Sequence, residues 1–147
     1  MRGLAAGLLA LAAPAAAGPR EDLAGVIEAH WRWALANNPQ LATRVGDRSG
    51  DGRLGDPSLA AARREAIEAA AFVRRLDAIP DAGLDEAGRV NKGVLRRILV
   101  DQVEADAHPQ RSINFTSYYS WHQGFRGLAD RSPFRDAADY ASYVGRL

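Results

Sequence analysis

The chain has 147 residues, 47% of them apolar, and a formal net charge of +1 from 19 basic and 18 acidic side chains. That composition excludes disorder along the whole length, and the balanced charge excludes the basic footprint of a nucleic-acid binder or of a protein that sits on anionic lipid. The absence of cysteine excludes a disulfide framework, a thiolate metal site, a cysteine nucleophile and a lipid-modified cysteine.

Residues 1–17 read as a secretory signal peptide. Arg2 supplies the positive start, Leu4 to Ala13 the apolar stretch, and Ala15-Ala16-Ala17 the small residues before a cleavage point near Ala17-Gly18. The apolar run is far shorter than the ~20 residues that span a bilayer, and no other stretch is long enough. The expectation is an exported chain, periplasmic or secreted, whose residues 18–147 form one helical domain.

Pro19, Glu21 and Asp22 open a first helix, because proline suits the first turn and acids suit the positive end of the helix dipole. Leu23, Val26, Ile27, His30 and Ala34 share its predicted apolar face, with Trp31 and Trp33 at the margins. Asn37-Asn38-Pro39 closes it. A short helix or turn follows over Gln40 to Val45 and stops at Gly46. Residues 46–58 are a polar, glycine-rich loop. Asp56-Pro57-Ser58 then starts a second long helix, with Leu59, Ala62, Ala66, Ala70, Val73 and Leu76 as the predicted face. Ile79-Pro80-Asp81-Ala82-Gly83 breaks the chain, and Asp85 caps a third helix to about Ala107. Its predicted face holds Asn91, Val94, Leu95, Ile98, Leu99, Gln102 and Ala105. His108-Pro109 stops it.

Residues 110–131 carry no helical period, but Phe115, Tyr118, Tyr119, Trp121 and Phe125 crowd into one short stretch. Ser132-Pro133 opens a last helix with Phe134, Ala137, Tyr140, Ala141, Val144 and Leu147 on one side. The fold class is therefore all-α: three long antiparallel helices plus a C-terminal helix, with an irregular aromatic-rich segment before it. The last helix is still amphipathic at Leu147. The expectation is the front portion of a longer helical protein, self-associating through residues 134–147 when alone.

Few residues carry chemistry. Asp47, Ser49, Asp51, Gly52 and Leu54 match the opening of a calcium-binding loop, but Ser58 stands where the bidentate glutamate belongs, so an Asx-rich turn is the better reading. His30 sits on an apolar face, and His108 at a helix end. His122, beside Trp121, is the one histidine in a plausible binding segment, so Tyr118, Tyr119, Trp121 and His122 are the candidate ligand-binding residues. No nucleophile elbow, phosphate loop, dinucleotide fingerprint or zinc-spaced histidine pattern is present. No catalytic residue, metal ligand or cofactor of this chain is expected.

Several stretches in order resemble the N-terminal part of the bacterial family named domain of unknown function 885. They are Trp33 with Asn38-Pro39, Ala42-Thr43 and Gly46-Asp47; then Leu54 with Asp56-Pro57-Ser58; then Leu76-Asp77-Ala78-Ile79. Leu84, Arg89-Val90-Asn91 and Leu95 follow, and last Pro133-Phe134, Asp139-Tyr140, Tyr143 and Arg146-Leu147. The resemblance runs from about residue 22 to 147. Lys92 departs from it, standing where relatives often carry tyrosine. It implies a mostly helical, often exported protein similar to zinc metallopeptidases, with a peptide substrate and with zinc held by a downstream H-E-x-x-P-G-H motif. That motif is not in this chain, so no catalytic residue transfers. Two functions are expected: the N-terminal helical portion of an exported metallopeptidase-like hydrolase, inactive alone, or a small secreted helical module that binds a ligand or partner through residues 115–125.

Overall fold

A computed structural model describes residues 18–108 and 127–147. The helices are α1 (Pro19–Asn37), α2 (Pro39–Arg44), α3 (Leu59–Asp77), α4 (Glu86–Asp106) and α5 (Ala137–Arg146), with 3-10 turns at Arg48–Gly50, Asp81–Gly83 and Ala129–Arg131, and no strand occurs among the described residues. The all-α expectation holds. The leader at 1–17 and most of the aromatic stretch, with Tyr118, Tyr119, Trp121 and His122, lie outside the described residues.

The helix starts follow the local chemistry of the sequence. Pro19 opens α1 with Glu21 and Asp22 in its first turn. Asn38 then accepts from the Leu41 N–H at 2.9 Å and Pro39 opens α2. Ser58 caps α3 by accepting from Ala61 N–H at 3.1 Å, and Asp85 caps α4 by accepting from Gly88 N–H at 2.8 Å. Each such cap satisfies an otherwise orphaned amide and stabilises by about 1 kcal/mol. Gly46, at φ +91°, takes the left-handed turn after α2 that a side chain would resist.

α3 and α4 form an antiparallel hairpin, and α1 lies across it. The direction of α1 is fixed at one end by Arg20, which donates to Asp85 at 2.8 Å, and further along by Trp33 Nε1, which donates to Glu68 Oε2 at 2.6 Å. α1 therefore runs antiparallel to α3. Leu23 and Val26 of α1, Ala69, Phe72 and Leu76 of α3, Leu99 of α4, and Ile79 and Leu84 of the bend make the core. Each large side chain here contributes roughly 1.5–3 kcal/mol by leaving water, and Ala69 lets the partner helices approach closely.

The core differs from the predicted faces by part of a turn. On α3 the inward residues are Ala61, Ala66, Ala69, Phe72 and Leu76, while Leu59 is exposed. On α4 Leu99 is buried with Leu95 and Val103 against it, whereas Val90, Val94 and Ile98 point out. On α1 Trp33 packs against the core rather than at its margin, and Ile27 is partly exposed. The cause is competition between two apolar stripes on one helix. α4 carries both Leu95–Leu99–Val103 and Val90–Val94–Ile98, and periodicity alone does not say which one meets α1 and α3.

The last helix differs more. It begins at Ala137, with Asp136 as its cap, and not at Ser132-Pro133. Its buried residues are Asp139 and Arg146, while Tyr140, Val144 and Leu147 are exposed. The polar side faces inward.

Candidate functional site

The inward polar side of α5 meets the turn that follows α2, and there the described residues bury their charges. Thr43 supplies the first element. Its hydroxyl donates to Pro39 O at 3.2 Å, which turns an oxygen lone pair toward α5. Arg146 Nη2 donates to that Thr43 Oγ1 at 2.6 Å and to Gly50 O at 2.7 Å. Gly50 is needed for the close approach, since a Cβ there would meet the Pro39 carbonyl and lie 2.9 Å from Pro39 Cα.

The second element is Asp139, whose side chain is fully buried. Its Oδ2 accepts from the Arg135 backbone N–H at 3.0 Å and from Arg135 Nε at 3.1 Å, and its Oδ1 accepts from Arg48 Nη2. The Arg135 hydrogen bonds, side chain first, and then the neighbouring charges of Arg135 and Arg48 hold the Asp139 carboxyl below the usual aspartate range. Asp139 in turn raises Arg135. Arg48 also reaches Asp51, with Nε 3.2 Å from Oδ2, but the two are not aligned for a hydrogen bond.

Thr43, Asp51, Ser132, Pro133, Asp139 and Arg146, with Ser142 and Tyr143, line a cavity of about 10 Å³. That volume fits one water and no substrate. The cluster joins α5 to the 43–51 turn; the carboxylates of Asp51 and Asp139 already face arginines and are not poised as an acid–base pair.

A second, partly buried cluster surrounds His30. Its ring lies 5.6 Å from the Trp33 ring and 5.6 Å, edge-on, from Phe72. Burial lowers the His30 pKa. This is core packing around a histidine, as its place on an apolar face predicts.

In the 46–58 loop Asp47 accepts from Ser49 N–H at 2.9 Å and Asp56 from Ser58 N–H at 2.9 Å, the Asx turns expected of that composition. Backbone hydrogen bonds lower both aspartates. Asp51 instead turns inward beside Arg48. Among the described residues no group of three or more histidine, aspartate or glutamate side chains could hold a metal ion. No described helix is long and apolar enough to cross a membrane.

The sequence reading missed this clamp. Asp139 and Arg146 appear among the resembling stretches, but no role follows from that. A signal was available: an Asp and an Arg seven residues apart lie on one helix face, opposite Tyr140 and Val144. The candidate residues Tyr118, Tyr119, Trp121 and His122 fall outside the described residues.

These features define an all-α protein whose described residues form a three-helix core, with α5 fastened to the turn after α2 by buried charges. Over residues 39–147 the chain matches the family described as bacterial protein of unknown function (DUF885), and it belongs to that family. The match begins at α2, so α1 and Trp33 lie ahead of it. No curated protein and no solved structure matches the chain.

Proposed function

We propose that this chain is the N-terminal helical portion of an exported, zinc-metallopeptidase-like hydrolase, and that it has no hydrolytic activity by itself. Family membership over residues 39–147 carries the reading, together with the resemblance of its ordered stretches to the front of such proteins. The surface is consistent with this role. Val90, Val94 and Ile98 on α4, and Tyr140, Val144 and Leu147 on α5, are apolar side chains left exposed among the described residues, positions where further helices of a larger domain would pack. In this reading the chain supplies scaffold, and the catalytic metal and its ligands come from a downstream segment.

The reading frame after the codon for Leu147 tests the proposal. A continuation encoding an H-E-x-x-P-G-H sequence supports it, and a stop codon followed by an unrelated gene overturns it. At the protein level, the purified chain is incubated with a peptide library with and without added zinc. No cleavage is expected. Zinc-dependent cleavage abolished by a chelator would show that the chain carries its own active site. Export is tested separately: mass spectrometry of the protein from its host is expected to find an N-terminus near Gly18, and a soluble cytoplasmic form retaining Met1 would contradict it.

A further inference from the structure

We propose that one water molecule is a built-in component of the clamp between α5 and the 43–51 turn, accepting a hydrogen bond from Arg146 Nε–H and donating one to Asp51 Oδ2. Both atoms are buried and neither has a hydrogen-bond partner among the protein groups. Their residues, Asp51 at 8% and Arg146 at 5% exposure, both line the same cavity of about 10 Å³. Asp51 Oδ2 has only the misaligned Arg48 Nε at 3.2 Å, and buried polar atoms are satisfied nearly everywhere in folded proteins, so two such atoms on residues that line one small polar cavity point to a ligand.

The chemistry selects that ligand. The cavity admits one molecule of water size. Arg146 Nε offers only a proton, and Asp51 Oδ2 offers only lone pairs. An anion would suit Arg146 but face the carboxylates of Asp51 and Asp139. A cation would suit those carboxylates but face Arg146, Arg48 and Arg135. Water satisfies both at once, in a space that Ser132 and Ser142 also line. Asp51 and Arg146 are thereby coupled without direct contact, and α5 docks through a wet joint.

Oxygen-17 magnetic relaxation dispersion of the full chain counts waters held longer than the molecule takes to tumble. The wild-type chain is compared with Ser142→Val, which puts a bulkier, apolar side chain at a residue that lines the cavity. The expected result is one fewer long-lived water per molecule in the variant, with α5 amides exchanging about fivefold to tenfold faster, the effect of losing one hydrogen-bonded bridge. An equal water count in the two proteins, with the variant's helix content unchanged, overturns the proposal. A crystal structure of the wild-type chain gives a second readout that does not depend on the variant folding. A single water within hydrogen-bond reach of Arg146 Nε and Asp51 Oδ2 supports the joint. A direct pairing of those two atoms, or a chloride or sodium ion between them, overturns it.

Discussion

Arg146 ties α5 to a distant part of the chain with a single side chain. Its Nη2 group serves two acceptors on a turn about a hundred residues earlier in the chain, Thr43 Oγ1 and Gly50 O. Arg146→Met keeps much of the volume and removes the donors, so Thr43 Oγ1 and Gly50 O each lose a buried hydrogen bond from a charged group. Hydrogen bonds from charged groups contribute about 1.5–3 kcal/mol each in such places, so α5 amides are expected to lose most of their hydrogen-exchange protection while Leu76 and Leu99 keep theirs. At Gly50 the penalty is steric. Gly50→Ala forces a methyl against the Pro39 backbone and is expected to lower stability by roughly 1–3 kcal/mol, read as a shifted urea midpoint. His30 gives a pH signature. Its folded pKa is lowered by burial, so the unfolded chain binds the proton more readily. Stability contributed by neutral His30 is full above about pH 6.5 and falls as pH drops from there toward the lowered folded value. Urea midpoints at pH 7.5 and 5.5 are expected to differ in that direction, and His30→Phe is expected to shrink the difference.

Among the elements, α5 stands apart. The three long helices meet through Leu23, Val26, Phe72, Leu76 and Leu99, whereas the buried residues of α5 are an aspartate and an arginine. Charge-based docking fails under different conditions from apolar packing. Asp139 has a lowered folded pKa, from its Arg135 hydrogen bonds first and then the nearby cations. Its contribution is complete above the ordinary aspartate value near 3.9 and disappears as pH falls through the lowered folded value. The groups facing it are Arg48 from the turn and Arg135 from the segment before α5; Asp51 shares Arg48 with it, and Asp136 caps the same helix. Acidification through that window is expected to release α5 before the three-helix core melts, seen as loss of amide protection in 137–147 with protection retained at Leu76 and Leu99. A single concerted loss would show that α5 is bound as tightly as the rest. The starts of α1, α3 and α4 were legible from sequence, since Pro19, Ser58 and Asp85 act locally, whereas α5 starts at Ala137 rather than at Ser132-Pro133. Helix orientation was less so. The exposed Val90–Val94–Ile98 stripe and the inward polar side of α5 both depend on long-range partners, and apolar periodicity reads only the stripe and not what it meets.

For the whole molecule, the same two faces set the surface. Val90, Val94 and Ile98 on one helix and Tyr140, Val144 and Leu147 on another are more than half exposed, with Phe134 stacked 4.6 Å from the Tyr140 ring. The chain on its own is expected to associate with rising concentration, and Val144→Asp is expected to weaken that association in sedimentation velocity; a monomer across the concentration range would argue that the α5 face is benign. The all-α class and the family were legible in the ordered short stretches of the sequence. The clamp was not, because Thr43, Gly50 and Arg146 come together only after α2 and α5 are docked.

Lys92 closes the bend between α3 and α4. It is the only lysine in the chain, its side chain is 13% exposed, and its Nζ donates to Ile79 O at 2.6 Å and to Asp81 Oδ1 at 2.6 Å. Apart from the N-terminus, the protein therefore presents a single primary amine to the outside world, and the fold holds that amine against a carbonyl. Acylating reagents should modify the folded chain at its N-terminus and leave Lys92 largely untouched, whereas the chain in urea should take up a second label. The yield of that second adduct, read by mass after a brief pulse of reagent, would then be a clock for how often the hairpin bend opens.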